Sequence, residues 1–497
     1  MMKEYPPFDK KPFVGLVGFD YFFTRFTRDM QDPFGHSEYE EHHAKSSARA
    51  FEKMLREQSF YFMDLGTIDE IFHYYIGNRQ WKKAQTLLEF ALKSHPSSSD
   101  LYYKQSKLFF DVDQYQLSLQ EIDKALQFSP MNSEYLFFKA DILTQIEDYQ
   151  EALEVMKKLQ GIHHHPEEVL IQMGNIAQAC GKNEVCESYY REALEVAPDF
   201  EEALYELVFF LESQARHQEG IKLYEEYLDR YPYSHNVWYN MGMLYRSLDN
   251  AYKAIEAFDF AIVIKDDFLS AYYNKGLLLS EQDRYEDALR TFLEANAIDP
   301  TDVPILYHIA ECYENLNMYR DAVRYYKLAT REDDSFVDAW MGMGFCMERC
   351  EKYLEAVHFY RKAYNLDQEN TEICLAIAVC EYKLGNKLGS YQFLEKAIHL
   401  DPHDSQIWQD WAELLFEHGS VQGAVTYLEE GIKINPDNYS LYYQCAAYLL
   451  SVGNEQQGMT YLENALLIDY PNHYTLFHHV PSLKNDPLIM EMIEQYG

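Results

Sequence analysis

Laid out in rows of 34 residues from residue 65, the chain stays in register twelve times without an insertion or deletion, through residue 472. No other feature limits the fold so tightly, because each row then has room for two short helices and two turns. One column reads Ala84, Ser118, Ala152, Cys186, Gly220, Ala254, Ala288, Ala322, Ala356, Ser390, Ala424 and Gly458. Four places on, each row carries a bulky residue, among them Leu88, Phe258, Phe292, Tyr326 and Tyr360, and three places later most rows return to alanine. Small, large, small at spacings of four and three marks one face of a helix.

The other half of each row supplies a second helix, in which a large residue precedes a small one by four: Trp238 and Gly242, Tyr272 and Gly276, Leu306 and Ala310, Trp340 and Gly344. Small residues let helix axes approach toward the short end of about 8–10 Å, and large ones fill the grooves beside them. Prolines such as Pro96, Pro232, Pro300 and Pro402 close the rows, where a missing N–H costs nothing. A single core rarely grows past about 250–300 residues. An array in which each unit touches only its neighbours escapes that limit.

These columns resemble the tetratricopeptide repeat, and residues 237–267 ("VWYNMGMLYRSLDNAYKAIEAFDFAIVIKDD") are close to its consensus apart from Asp266 in place of a proline. The resemblance implies an all-α, right-handed superhelical α-solenoid of about twelve helix-turn-helix repeats with terminal caps. Three segments are expected: an aromatic-rich arm and capping helix at 1–64, twelve repeats at 65–472 and a capping helix at 473–497. Departures from the pattern mark places of altered packing: Phe72 and Ser106 at a small position, Gln105, Lys139 and Lys275 at a leucine position, Glu381 at a tyrosine position, and Pro166 two places late.

At the N-terminus Phe13, Phe19, Tyr21, Phe22, Phe23 and Phe26 crowd together without helical or strand period, and a helix is expected from Ser47 to about Gln58, with Phe51, Met54 and Leu55 facing the first repeat. The arm reads as a cap or as a segment that inserts into a groove, its own or another subunit's. At the other end Asp486 and Pro487 signal a helix start, and Leu488, Ile489, Met492, Ile493 and Tyr496 form an apolar stripe.

Charge and motifs exclude several functions. With 81 acidic and 43 basic residues the net charge is −38, which repels phosphate backbones and anionic lipids, so neither nucleic acid nor a membrane is an expected partner. No signal peptide is read, no apolar run approaches the roughly 20 residues of a membrane span, and a cytoplasmic location is expected. The eight cysteines fall in packing columns without a C-x-x-C pair and read as buried thiols of a reducing compartment. His163, His164 and His165 read as a solvated turn with no metal role. No nucleotide-binding, hydrolase or metalloprotease motif occurs, so neither a cofactor nor enzymatic activity is expected.

In the family's geometry the second, fifth, sixth, ninth, twelfth and thirteenth residues of each row line a concave groove. Those positions hold Tyr205, Tyr239, Tyr273 and Tyr307 in four consecutive rows, Asn240 and Asn274 in two, and nineteen acidic against five basic residues, including Glu206, Glu311, Glu314 and Asp338. Asparagine amides pair with an extended peptide's backbone, and phenol rings offer apolar area with a polar tip. The ladder therefore reads as a peptide track for a basic partner, while tyrosine and asparagine are also the family's commonest residues there. The function expected is a non-catalytic protein-interaction scaffold; a regulatory or targeting subunit of a partner enzyme is the alternative. Partner identity and oligomeric state are left open.

Overall fold

The computed structural model describes residues 38–57, 59, 62–161 and 163–496, and helices are the only regular secondary structure among them. First helices of successive repeats begin at Leu65, Ser99, Ser133, Pro166, Glu201, His235, Leu269, Val303, Val337, Thr371, Ser405 and Tyr439. Second helices begin at Trp81 and recur every 34 residues to Glu455. Pro166 does not close a late row; it opens the next helix at its first position, where proline has no N–H to lose. The helices divide between two compact units that meet in sequence at Tyr227 and Leu228.

Within each unit the small–large columns are the contact between paired helices. Ala254, Ala288, Ala322, Ala356 and Ala310 are fully buried, as are the rings of Phe258 and Phe292. A Cβ on Gly276 would come within 2.5 Å of the Phe292 ring, one on Gly242 within 2.7 Å of Phe258 and one on Gly344 within 2.5 Å of Tyr360. Glycine at these points is the space the ring occupies. Where the second-helix residue shrinks to leucine, the first-helix position widens, to Ala412 in the repeat of Leu428 and to Phe72 in that of Leu88.

The polar departures are satisfied locally. Ser106 Oγ donates to the Ser118 carbonyl at 2.7 Å and Ser118 Oγ returns a bond to the Ser106 carbonyl at 2.8 Å, so two hydroxyls replace a small apolar contact. Lys139 reaches Asp123 at 2.9 Å and Glu151 at 3.1 Å, and Lys275 reaches Asp259 at 2.5 Å, the same step of sixteen residues across a repeat boundary. Neighbouring repeats are also tied by aromatic donors at the fourth position: Trp238 Nε1 to the Pro232 carbonyl at 3.0 Å, Trp340 to Asp334 at 2.9 Å and Trp408 to Pro402 at 3.2 Å.

The turn inside every repeat has one geometry. Residues 79, 113, 147, 181, 215, 249, 283, 317, 351, 385, 419 and 453 all have positive φ, yet only the glycines at 181, 385, 419 and 453 adopt it freely. The next residue's N–H bonds to the carbonyl five places back, as in Asn250 to Tyr245 and Lys352 to Met347, both 2.9 Å, which closes the helix with a Schellman turn. For Ala215 and Glu351 the left-handed penalty of about 1–2 kcal/mol outweighs the ~0.5–1 kcal/mol of extra backbone entropy a glycine carries. Ala215→Gly and Glu351→Gly are therefore expected to raise the thermal midpoint, and Glu212→Gly, inside a helix, to lower it. Equal shifts from all three in a melting experiment would contradict the turn assignment.

At the ends and in the thiols the structure differs from the expectations. The first described helix spans Glu38–Glu57, nine residues earlier than Ser47. Phe51 and Met54 are buried and Leu55 half-buried against the first repeat. The aromatic arm lies outside the described residues. The last helix, Pro487–Gln495, is capped by Asp486 and buries Ile489 and Ile493, but Leu488 is exposed and leaves the apolar stripe. Cys180 is only half-buried and Cys350 is exposed, because both sit at the C-cap of a first helix where the chain turns toward solvent; the other six cysteines are buried, and all eight are free thiols.

Candidate docking face

In the unit that begins at Leu228, the ladder residues stand on the first helices His235–Ser247, Leu269–Glu281 and Val303–Asn315. They are bonded to one another rather than idle. Asn274 Nδ2 donates to the Tyr239 hydroxyl and to the Ser270 carbonyl, both at 3.0 Å, and its Oδ1 accepts from Arg246 at 3.1 Å. Arg246 also donates to Glu281 at 2.6 Å. The Tyr273 hydroxyl lies 3.2 Å from His308 Nε2, whose Nδ1 is 2.9 Å from Glu311. Asn240 is half-buried one repeat before Asn274. The asparagine and phenol tips thus tie adjacent repeats together, and what they leave half-open is ring surface. Tyr205 and Glu206 lie on the helix Glu201–Ser213 of the other unit, where Tyr205 donates to Glu201 at 2.7 Å and burial, then Glu202, pushes the Glu206 carboxyl up to about 7.

Further along the same unit the carboxylates crowd. Tyr307 is half-buried against Phe336, with ring centroids 5.4 Å apart, and its hydroxyl is pushed well up by burial and by Glu311, Asp338 and Glu314. Glu314 accepts from Tyr326 Oη at 2.9 Å and from Cys346 Sγ at 3.6 Å; burial drives its carboxyl up to about 7 against those two bonds. Asp338 is raised by burial and by Glu311, and Glu372 by burial and by Asp338. Both of these remain open to solvent while neighbouring protein displaces enough water to disfavour their charge. Glu348, which accepts from Tyr360 Oη at 2.9 Å, is raised by burial as well.

Between these carboxylates lies an apolar stripe that the tyrosine ladder does not include. On Val337–Arg349, Met341 and Phe345 follow Asp338 at helical spacing; on Thr371–Lys383, Leu375 and Val379 follow Glu372. Phe345 is 38% exposed and the other three are half-buried, whereas Ala339, Met343, Cys346, Ile373 and Ile377 on the opposite faces are buried. The signal was present in the same groove columns: the fifth turns from Tyr to Met341 and Leu375, and the ninth holds Phe345 and Val379. An apolar strip edged by desolvated carboxylates can hold a segment that offers both apolar rings and cations.

No three His, Cys, Asp or Glu side chains among the described residues are grouped to hold a metal ion. His163 is partly buried, edge-on to Phe137 at 5.2 Å and 3.3 Å from Glu168. No described helix is long and apolar enough to cross a membrane.

Tetratricopeptide-repeat family models match residues 70–130, 171–235, 235–265 and 279–344. These segments of the chain are tetratricopeptide repeats. Solved structures similar to this chain include a tetratricopeptide repeat protein from Parabacteroides merdae ATCC 43184, with 18% identity, 53% of this chain and 98% of that one covered, and a TM-score of 0.40. YrrB, described as a TPR protein with an unusual peptide-binding site, has 17% identity over 38% and 96% of the two chains, with a TM-score of 0.34. Cut9–Hcn1, an APC/C hetero-tetramer, gives 14% identity over 87% and 96%, with a TM-score of 0.32. No curated protein matches the chain.

Proposed function

We propose that the protein is a non-catalytic interaction scaffold that holds a basic, aromatic-containing segment of a protein partner on the first-helix face of residues 303–383. The observation that carries this reading is the run of mutually repelling carboxylates, Glu314, Glu311, Asp338 and Glu372, beside the half-open Met341, Phe345, Leu375 and Val379. A cation placed there relieves the repulsion, and rings placed there cover apolar area.

An array of peptides of equal aromatic content and graded charge tests the reading. Retention is expected to rise with positive charge and to fall at 1 M salt, where screening acts within about 3 Å. Because the Glu314, Asp338 and Glu372 carboxyls are raised in the free protein and a bound cation favours their charged form, binding releases protons, so affinity should increase from pH 5.5 to pH 7.5. Glu311→Gln/Glu314→Gln should weaken retention about tenfold, the scale of one or two desolvated charge contacts. Retention indifferent to peptide charge, salt and pH would overturn the proposal.

A further inference from the structure

We infer that the turns inside the two repeats at 337–404 form a second docking surface, for an acidic segment of another protein that carries leucine-like side chains along one helical face. The turns at 349–354 and 383–388 carry Arg349, Lys352, Lys383 and Lys387 against Glu351, four basic residues to one acidic in a chain with 43 to 81. Arg349 and Lys383, one from each turn, both lie within electrostatic reach of the Glu348 carboxyl, and Tyr353 lies likewise near Cys380, so the two turns make one surface. Leu354 and Leu388 are the second residues of the helices Tyr353–Leu366 and Lys387–Leu400 and are 73% and 71% exposed; Leu384, at the C-cap of Thr371–Lys383, is exposed beside them. In the other ten repeats the column of Leu354 and Leu388 holds Lys, Gln, Glu, Arg or Tyr, so packing of the array does not call for leucine there. Leucines left in water gain by being covered, and the basic side chains at their border select a negatively charged guest. Lys352 pairs with Glu355 at 3.3 Å, but both keep more than half of their side chains exposed, and so weak a pair yields to a guest carboxylate. The inference stands apart from the reading of the first-helix face, whose carboxylates repel such a segment.

The probe is a fluorescent synthetic peptide with glutamate on one helical face and leucine on the other, titrated with the full chain and read by anisotropy. Saturable binding is expected, at least fivefold weaker to Leu354→Ser/Leu388→Ser and to Lys352→Glu/Lys387→Glu, and lost when the peptide's leucines are replaced by serine. Both variants alter exposed side chains outside the first-helix face, so their circular dichroism and their retention of the graded basic peptides should match the parent. No saturable binding, an affinity unchanged in either variant, or equal binding of the serine peptide would overturn the proposal. Sedimentation of the chain alone supplies the other arm: an oligomer that Leu354→Ser/Leu388→Ser abolishes would show that a second copy takes the surface, and would overturn the assignment of another protein as its occupant.

Discussion

Phe292→Ala is expected to cost about 3–5 kcal/mol, the usual range for emptying a buried aromatic site. The ring is fully buried and lies against the backbone of Gly276, so nothing adjacent can swing in to fill the space. Gly276→Ala alone is expected to destabilise as well, by about 1–3 kcal/mol, because its Cβ would press on that ring and overpacking outweighs the roughly 1 kcal/mol that alanine brings to a helix. In the Phe292→Ala background the sign should reverse: the added methyl enters the cavity and recovers part of the loss. Urea titration with amide exchange across 269–302 reads all three variants. Stabilisation by Gly276→Ala in the parent chain would show that propensity, not contact, governs the position.

Arg361→Met should cost toward the lower end of about 3–5 kcal/mol, whereas Glu381→Leu should lie within about 1 kcal/mol of the parent. Glu381 keeps only 7% of its side chain exposed and accepts from Arg361 and from Asn386, each at 2.8 Å. Removing the guanidinium strands a buried carboxylate; removing the carboxylate leaves Arg361 and Asn386 where water reaches them. Denaturant midpoints at neutral pH measure the asymmetry, and the double variant should resemble Glu381→Leu alone. Equal losses from the two single changes would mean that the pair acts only through packing.

Most of the fold was legible because helix contact depends on side-chain size, which a sequence states directly: Gly276, Ala288 and Phe292 declare a close approach by volume. Backbone handedness is declared only when glycine adopts it. Arg79, Ala215 and Glu351 share the left-handed turn of Gly181 and give no compositional sign, since the surrounding helices impose it. Glu381 looked like a flaw because its partner lies twenty residues away on another helix, and Cys350 looked buried because a column position fixes a place in the repeat and not its solvent contact. The tyrosine ladder drew attention by residue type, yet Asn274, Tyr239 and Tyr273 are occupied with each other. Phe345 and Val379 blended with ordinary core residues until their half-open stripe was seen.

The ties from Trp340 to Asp334 and from Trp408 to Pro402, like the Lys275–Asp259 pair, each join one repeat only to its neighbour. A segment lying across two repeats therefore serves as a splint for those two: their openings become rarer together, while fraying farther along the same unit proceeds at its own pace. Rigidity conferred by a guest in such an architecture stays where the guest sits.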